Sequence, residues 1–552
     1  MLTAATLKFT EHGDLFLPTN GITIFVGPNN SGKSLVLKEI EQAFASNPFP
    51  QNMRILKDFE IKWLSDAEID KEIAKHPQSD IMNVPMEHVQ IGRINPNGGR
   101  EVTNVHVGSL KQVSAGRQQK SWWAAQFARW GLLRLDGRSR FNLTNDQSGG
   151  DLLSPPQNVL SQLFQDEKSR KRVRELIKDA FGLTFSIDPT NLGQLRIRLS
   201  REGSLDDEQS LNEKARAYYR KAIHIKDASD GVQAFTGIVT AVMSGEFHTI
   251  LIDEPEAFLH PPLARKLGTS LARLAVERGG SLMASTHSAD FLMGCIQATK
   301  DVRVVRLEYS DEKSQGRMVD PVELENLFRS PLMRSANAIS GLFYDGVVVT
   351  ESDNDRSFYS EIYHRLAAQD SDYPSILFIN AQNKQTIKNI IAPLRRFGVP
   401  AAAVPDIDIL KDGGNTWLDW LSAAHIPKLL HTGFSAQRSS IKNYFETAGI
   451  DMKTQGGVNA LPLPEKQAAD HLFSTLADYG VFAVQRGEVE NWLPLLKIPG
   501  KKTDWTVVML ERLGSDPADA SYVRPEDDDV WEFVRGIVRW VRNGSRKGTS
   551  QD

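Results

Sequence analysis

The chain has 552 residues, with 65 Lys and Arg against 69 Asp and Glu, a formal net charge of −4 and a mean hydropathy of −0.34. That length suits roughly two to four domains, and the slight acidity excludes a globally basic nucleic-acid binder, so any such surface must be local. The single cysteine, Cys295, excludes an internal disulfide, and its apolar setting fits a buried, inert thiol. The N-terminus lacks the basic start and apolar core of a signal peptide, and no uninterrupted apolar run is long enough to cross a bilayer. The expectation is a cytoplasmic chain with no membrane partner.

Residues 4 to 17 alternate loosely and break at Glu11-His12-Gly13-Asp14, which predicts a hairpin. The run Ile22-Thr23-Ile24-Phe25-Val26 reads as a buried strand, and Leu35 to Phe44 as a helix with Leu37, Ile40 and Phe44 on one face. Between them lies Gly27-Pro28-Asn29-Asn30-Ser31-Gly32-Lys33-Ser34, a glycine-bounded loop closing on Lys-Ser, which makes the segment a P-loop. Backbone N–H groups of Gly27, Asn29, Asn30, Ser31 and Gly32 would wrap the phosphates of a nucleotide. Lys33 would reach the outer phosphates as a point charge, and the Ser34 hydroxyl would ligate Mg²⁺. Gly32 permits a backbone approach that a Cβ would block.

Residues 46 to 226 read as an insertion of mixed character. Within it, Leu195-Arg196-Ile197-Arg198-Leu199 alternates with a period of two, so a half-exposed strand is expected. Its arginines, and Arg138 and Arg140, could meet phosphate, with a solvated face preferred. Ser229 and Gly231 can present a hydroxyl and N–H groups at a helix N-terminus, suited to an anion. Thr249 to Asp253 is an apolar strand closing on two carboxylates. Asp253 fits a Walker B acid on Mg²⁺, and Glu254 a general base for the attacking water. The strand Ser281 to Thr286 ends at His287, placed to hydrogen-bond a γ-phosphate or that water.

In this order the segments resemble ABC-type ATPases of the SMC/RecF kind. The resemblance implies that Ser229 and Gly231 belong to the signature motif and that Glu256 to His260 is the D-loop region. It also implies that one subunit's signature completes another's ATP site, hence a homodimer or higher homo-oligomer. Asp230 stands for a glycine and Val232 for the usual glutamine, and Gln147 is the candidate for the Q-loop. Ser34 and Ser229 are 195 positions apart, room for a modest insertion but not for a long coiled coil.

Asp311 to Arg317 reads as a polar turn, and Val322 to Phe343 as a helical linker or dimerising segment. Strands are then expected at Gly346–Thr350, Ile376–Ile379, Pro400–Val404 and Gly480–Val484, alternating with helices, so a mainly parallel sheet. Acids follow three of them: Glu351 and Asp355, Asp406 and Asp408, Glu488 and Glu490. Converging carboxylates cannot all ionise without a cation. Oxygen ligands without His or Cys suit Mg²⁺ or Mn²⁺, and two such ions can flank a phosphate.

This second pattern resembles a TOPRIM domain, and Gly487-Glu488-Val489-Glu490 resembles the later acidic motif of the OLD (overcoming lysogenisation defect) nucleases. Ser352 stands where a glycine is usual and Asp355 where a glutamate is common. Val530, Val534, Ile537, Val538 and Val541 share a helical face suited to a core, and Asn543 to Asp552 reads as disordered.

The expected architecture is α/β. An ABC-type P-loop ATPase domain spans 1–310, with its insertion at about 46–226, and a helical linker or dimerisation segment spans 311–344. A Rossmann-like TOPRIM nuclease domain spans 345–500, and a helical C-terminal extension with a disordered tail spans 501–552. The resemblance implies an ATP-hydrolysing, metal-dependent DNA endonuclease serving anti-phage defence, with ATP state gating cleavage. Glu351 or Asp355 would double as acid or base. DNA is the expected substrate, and another defence-system protein or an RNA a further partner. The alternative is an ATP-dependent DNA clamp or sensor whose TOPRIM domain no longer cuts. A topoisomerase or primase is disfavoured, because neither a strand-transfer tyrosine context nor a primase zinc site is visible.

Overall fold

The structure, a computed structural model, describes all residues except His12, 77–86, 95–98, Pro155, Asp206, Glu246, Asp311, Ala336 and 550–552. The chain divides into two compact units, Met1–Val26 with Asn30–Pro321, and Val322–Asp552 with Gly27–Asn29.

The first unit is built on a six-stranded sheet. Its spatial order is Lys313–Val319, Val302–Ser310, Gly21–Val26, Ser281–Ser285, Thr249–Asp253 and Leu132–Leu135. All pairings are parallel except the outermost, where Lys313–Val319 runs antiparallel to Val302–Ser310. Ile22–Val26 and Ser281–Ser285 are buried throughout, which is why such strands lack a polar alternation. The register sets Phe25 opposite Ser285 and Ser285 opposite Asp253, so the strands end level.

A three-stranded antiparallel sheet, Asp14–Pro18, Leu2–Lys8 and Leu56–Ile61, includes the expected N-terminal hairpin. It shares a core with the P-loop helix through Leu2, Phe59, Val36, Leu37 and Trp123. A smaller sheet pairs Gln194–Ser200 with Thr184–Asn191, Gln147–Ser148 and Ile223–His224. There the expected solvated face is absent. Arg196 and Arg198 both grip Asp188, which is fully buried, at 2.9 and 3.0 Å. A buried carboxylate needs a counter-charge, and the two arginines supply it.

Residues 313–319, expected as turn and helical linker, are instead the antiparallel edge strand, and Asp311 lies outside the described residues. Most of this strand is at least partly exposed, so it carries no apolar alternation to betray it. Helices follow at Pro321–Arg329 and Pro331–Ser335, with a 3₁₀ turn at Ala338–Phe343.

In the second unit Ile376–Asn380, Gly346–Thr350 and Ala401–Val404 form a parallel sheet in that order. Gly480–Val484 lies beside Ala401–Val404 through two parallel bridges, Ala403 with Val481 and Asp406 with Val484, rather than a continuous ladder. Pro405, between the bridges, has no N–H to donate. Helix Asp529–Arg542 buries Val530, Trp531, Val534, Ile537, Val538 and Val541 in one core with Val348, Phe358 and Phe482. Residues 543–549 are ordered, contrary to expectation, and 550–552 lie outside the described residues. One tie is Arg395, fully buried, which donates to the carbonyls of Ala401, Ala424, Gly480 and Gly548 at 2.9–3.1 Å; others are Trp540 Nε1 to the Lys547 carbonyl and Arg546 to the Val541 carbonyl. Among the described residues no helix is long and apolar enough to cross a membrane.

Arg395→Met would remove a buried donor from four inward carbonyls, of which Gly480 alone is shown to keep another, the Ala403 N–H. It should destabilise the chain by about 3 kcal/mol or more, read as a lower urea midpoint. An unchanged midpoint would show that other groups satisfy those carbonyls.

Candidate functional site

The P-loop strand leads through Gly27 and Asn29 into the loop, where Asn30 and Gly32 have φ of +60° and +93°. A Cβ on Gly32 would also stand 2.6 Å from Ile55 Cδ1. Ile55 is fixed there because buried Glu39 accepts the N–H groups of Arg54, Ile55 and Leu56 at 2.6, 2.9 and 2.7 Å. Lys33 opens the helix and is buried, with Nζ 3.3 Å from Ser31 Oγ. Burial pushes its pKa down to about 8 against the pull of Glu254 and Asp253.

Ser34 Oγ donates to Asp253 Oδ1 at 2.7 Å, and Ser285 Oγ donates to the same oxygen. Glu254 is half exposed, and its carboxylate lies 3.7 Å from His287 Nε2. Burial, then Lys33, lowers the His287 pKa, which favours a neutral ring able to accept as well as donate. The His287 N–H is anchored on Glu256 at 2.7 Å. Lys33, Ser34, Asp253, Glu254 and His287 are thus brought together as the sequence suggested. Ser229 and Gly231 open the helix Asp230–Ser244, and the Ser229 side chain makes no capping bond. Gln147 is engaged within the fold: its amide donates to the Leu143 carbonyl at 3.3 Å and accepts from the Leu160 N–H at 3.0 Å.

The acids of the second unit also converge. Glu351 follows the strand Gly346–Thr350 and accepts the Asp406 N–H at 2.9 Å. Asp355 and Ser352 form a capping box, Ser352 N–H to Asp355 at 3.0 Å and Asp355 N–H to Ser352 Oγ at 3.3 Å. The serine that departs from the usual glycine therefore starts the helix that carries Asp355. Burial, then Asp406, pushes Glu351 up to about 8 and Asp355 up to about 6. Glu490 adds to the rise at Asp355, and burial followed by Glu490 raises Glu488.

The arrangement differs from an open six-carboxylate cage. Lys453 Nζ lies 2.5 Å from Asp406 and 3.8 Å from Asp408, while Lys384 Nζ lies 3.0 Å from Asp408. Glu490 accepts the Lys502 N–H at 2.8 Å. Among the described residues no group of three or more Asp, Glu, His or Cys side chains is set to hold a metal ion as it stands. Buried carboxylates draw in whatever cations and N–H donors the fold offers, and here the lysines answer first. The donor chemistry, oxygen only with repelling charges, still fits a hard divalent cation.

Sequence reading missed Lys453, Lys384 and Ser285. Lys453 left one signal, the following Gly456-Gly457 pair. Gly457 has φ of +59°, and a Cβ there would stand 2.0 Å from the Gln485 carbonyl, so the Lys453 loop must lie against the 485–487 segment.

Residues 129–294 match the AAA_21 model of AAA domains, and residues 342–408 match the TOPRIM domain of overcoming lysogenization defect protein-like chains. The chain joins an ATPase domain to an OLD-like TOPRIM domain. The Walker B carboxylates and His287 fall inside the first match, and Glu351, Asp355, Asp406 and Asp408 inside the second. This ATPase–TOPRIM chain is 22% identical to the Old nuclease of Escherichia phage P2 over 302 residues, covering 52% of this chain and 50% of that one. It therefore matches about half the length of that relative. It is also 22% identical to the OLD nuclease of Thermus scotoductus (strain ATCC 700910 / SA-01) over 434 residues, 72% of this chain and 80% of that one. A solved SMC head bound to the C-winged helix domain of ScpA aligns over 59% of this chain and 99% of its own, at 14% identity and a TM-score of 0.34.

Glu351 and Asp355 keep protons in the folded chain that the unfolded chain releases near pH 4 to 5. Their effect on stability is therefore most favourable below about pH 4 and is lost as pH rises through about 6 and then about 8. In chelator, Glu351→Gln should remove the later part of that decline, on the order of a few kcal/mol, in urea unfolding from pH 5 to 9. A decline identical to wild type would refute the raised Glu351.

Proposed function

We propose that the chain is an ATP-hydrolysing, metal-dependent DNA endonuclease in which the ATP state gates cutting, and that it serves defence against phage. The observation that carries the nuclease reading is the mutual crowding of Glu351, Asp355 and Asp406 at the strand ends of a TOPRIM domain. The names of the phage P2 and Thermus relatives support the same reading.

Glu351, Asp355, Asp406, Asp408, Glu488 and Glu490 would hold Mg²⁺ or Mn²⁺. A cation bound there would stabilise charge developing on a phosphodiester oxygen. Lys453 offsets part of the acidic charge and so eases the approach of a phosphate. Glu351 and Asp355, whose proton affinities are raised, are suited to hold a proton for the leaving oxygen.

At the ATP site Lys33 would meet the outer phosphates. Asp253 and Ser34 would hold Mg²⁺, and Glu254 would orient water with His287 beside it. Ser229 and Gly231, at a helix N-terminus, suit the nucleotide of a second copy, so the working form is a homodimer or larger homo-oligomer. Lys33→Ala should reduce nucleotide binding beyond detection in a fluorescent-nucleotide titration. Glu254→Gln should keep binding but slow hydrolysis by about 10²-fold or more. Normal ATP turnover by Lys33→Ala would end the ATPase reading.

Supercoiled plasmid incubated with Mg²⁺ or Mn²⁺, with and without ATP, tests the nuclease. Wild type should nick or linearise it, and Asp406→Ala should not. Equal cleavage by both would move the chemistry elsewhere. A second reading draws on the lysines that already engage Asp406 and Asp408. In that reading the TOPRIM domain is a docking surface, the chain retains DNA in response to ATP without cutting it, and Asp406→Ala leaves the biological effect intact.

A further inference from the structure

Arg140 is fully buried and makes no use of solvent. Its Nη2 donates to the Asp253 carbonyl at 2.7 Å, its Nη1 to the Glu254 carbonyl at 3.0 Å, and its Nε to the Asp136 carbonyl at 3.1 Å. A planar fork of donors is spent on the main chain of the two Walker B residues.

That main chain needs holding. Glu254 has φ of +48°, in the left-handed region that a residue with a Cβ enters only at a cost of about 1 kcal/mol or more. Its N–H is fixed on the Ser285 carbonyl at 2.9 Å, and its own carbonyl receives both Arg140 and the Ala257 N–H. The peptide after Asp253 is therefore held from both ends, and its orientation sets where the Glu254 carboxylate is presented. A second contact ties Arg140 to the signature-like helix. A Cβ on Gly237 would stand 1.9 Å from the Arg140 carbonyl, so helix Asp230–Ser244 lies directly on the Arg140 backbone. Arg140 thus touches both Glu254 and the helix that presents Ser229 and Gly231.

We propose that Arg140 is a positioning residue for ATP hydrolysis. By holding the Asp253 and Glu254 carbonyls it fixes the left-handed Glu254 backbone and so the direction of the general-base carboxylate. The inference rests on the ATPase reading of this site. It predicts that loss of Arg140 lowers turnover far more than binding, because Lys33 and the loop N–H groups lie outside its contacts and the Asp253 side chain stays held by Ser34 and Ser285.

Arg140→Lys, Asp136→Ala and the exposed control Arg138→Ala would be compared with wild type in full-length protein. The readouts are nucleotide affinity, kcat and KM for ATP, and far-UV circular dichroism. Asp136 accepts the Arg138 and Ser139 N–H groups at 3.0 Å and is only partly buried, so Asp136→Ala loosens the Arg140 turn without emptying the core. Arg140→Lys should lower kcat by about ten-fold or more with nucleotide affinity within about two-fold. Asp136→Ala should show a smaller loss of the same kind, and Arg138→Ala none. If Arg140→Lys misfolds, Asp136→Ala decides. Unchanged kcat in a folded Arg140→Lys, or parallel losses of kcat and affinity, would overturn the proposal. Absence of ATP turnover by wild type would instead overturn the ATPase reading beneath it.

Discussion

A carboxylate at the end of a buried strand needs a partner for its charge, and each unit is organised by how it meets that need. Parallel strands bring all their carboxyl ends to one edge, so charged residues placed there meet one another by topology alone. In the first unit Asp253 arrives beside the hydroxyls of Ser34 and Ser285 and near the Lys33 ammonium. The charges there alternate in sign, and every group named has a donor or acceptor close by. In the second unit the same topology gathers acids with one another, and the result is Glu351 held protonated up to about pH 8.

Irregular backbone at those edges raises a second demand. Turns leaving a buried strand aim carbonyls inward, where water cannot reach them. Each unit answers with a fully buried arginine, Arg140 in the first and Arg395 in the second. Neither is exposed to solvent, and each spends its donors on main-chain carbonyls. The guanidinium fork reaches several carbonyls at once, which no shorter side chain can do. The ordered stretch 543–549 owes one of its ties to this, since Gly548 supplies one of the acceptors that Arg395 requires.

Much of this was legible in the sequence where a local pattern and a chemical role coincide. The P-loop, the Asp253-Glu254 strand end and His287 were read in place, because an apolar run followed by a polar tip has one economical meaning in an α/β sheet. The acids Glu351, Asp355 and Asp406 were found for the same reason. What escaped was long-range. Arg140, Arg196 and Arg198 looked like solvated charges, because the sequence does not show that Asp188 or the Walker B carbonyls wait in the interior for them. Lys313–Val319 escaped because an exposed edge strand carries no buried face. Lys453 escaped because it lies 47 positions beyond Asp406 and only the folded loop brings it back.

Lys453 bears on how the acidic site can work. Its carbonyl accepts Asn491 Nδ2 at 2.8 Å, and a Cβ on Gly487 would stand 2.1 Å from the same oxygen. The lysine backbone is therefore clamped to the segment that carries Glu488 and Glu490, and its charge is a fixed feature of the site. Asp406 and Asp408 each pair directly with a lysine, whereas among the described residues Glu351, Asp355, Glu488 and Glu490 do not, although the Lys453 charge also acts on Glu351 and Glu488. Six carboxylates against two lysines leave an excess of negative charge that protons on Glu351 and Asp355 only partly relieve. Asp406 links the two environments, joined to Glu351 through its own N–H and to Lys453 through its carboxylate.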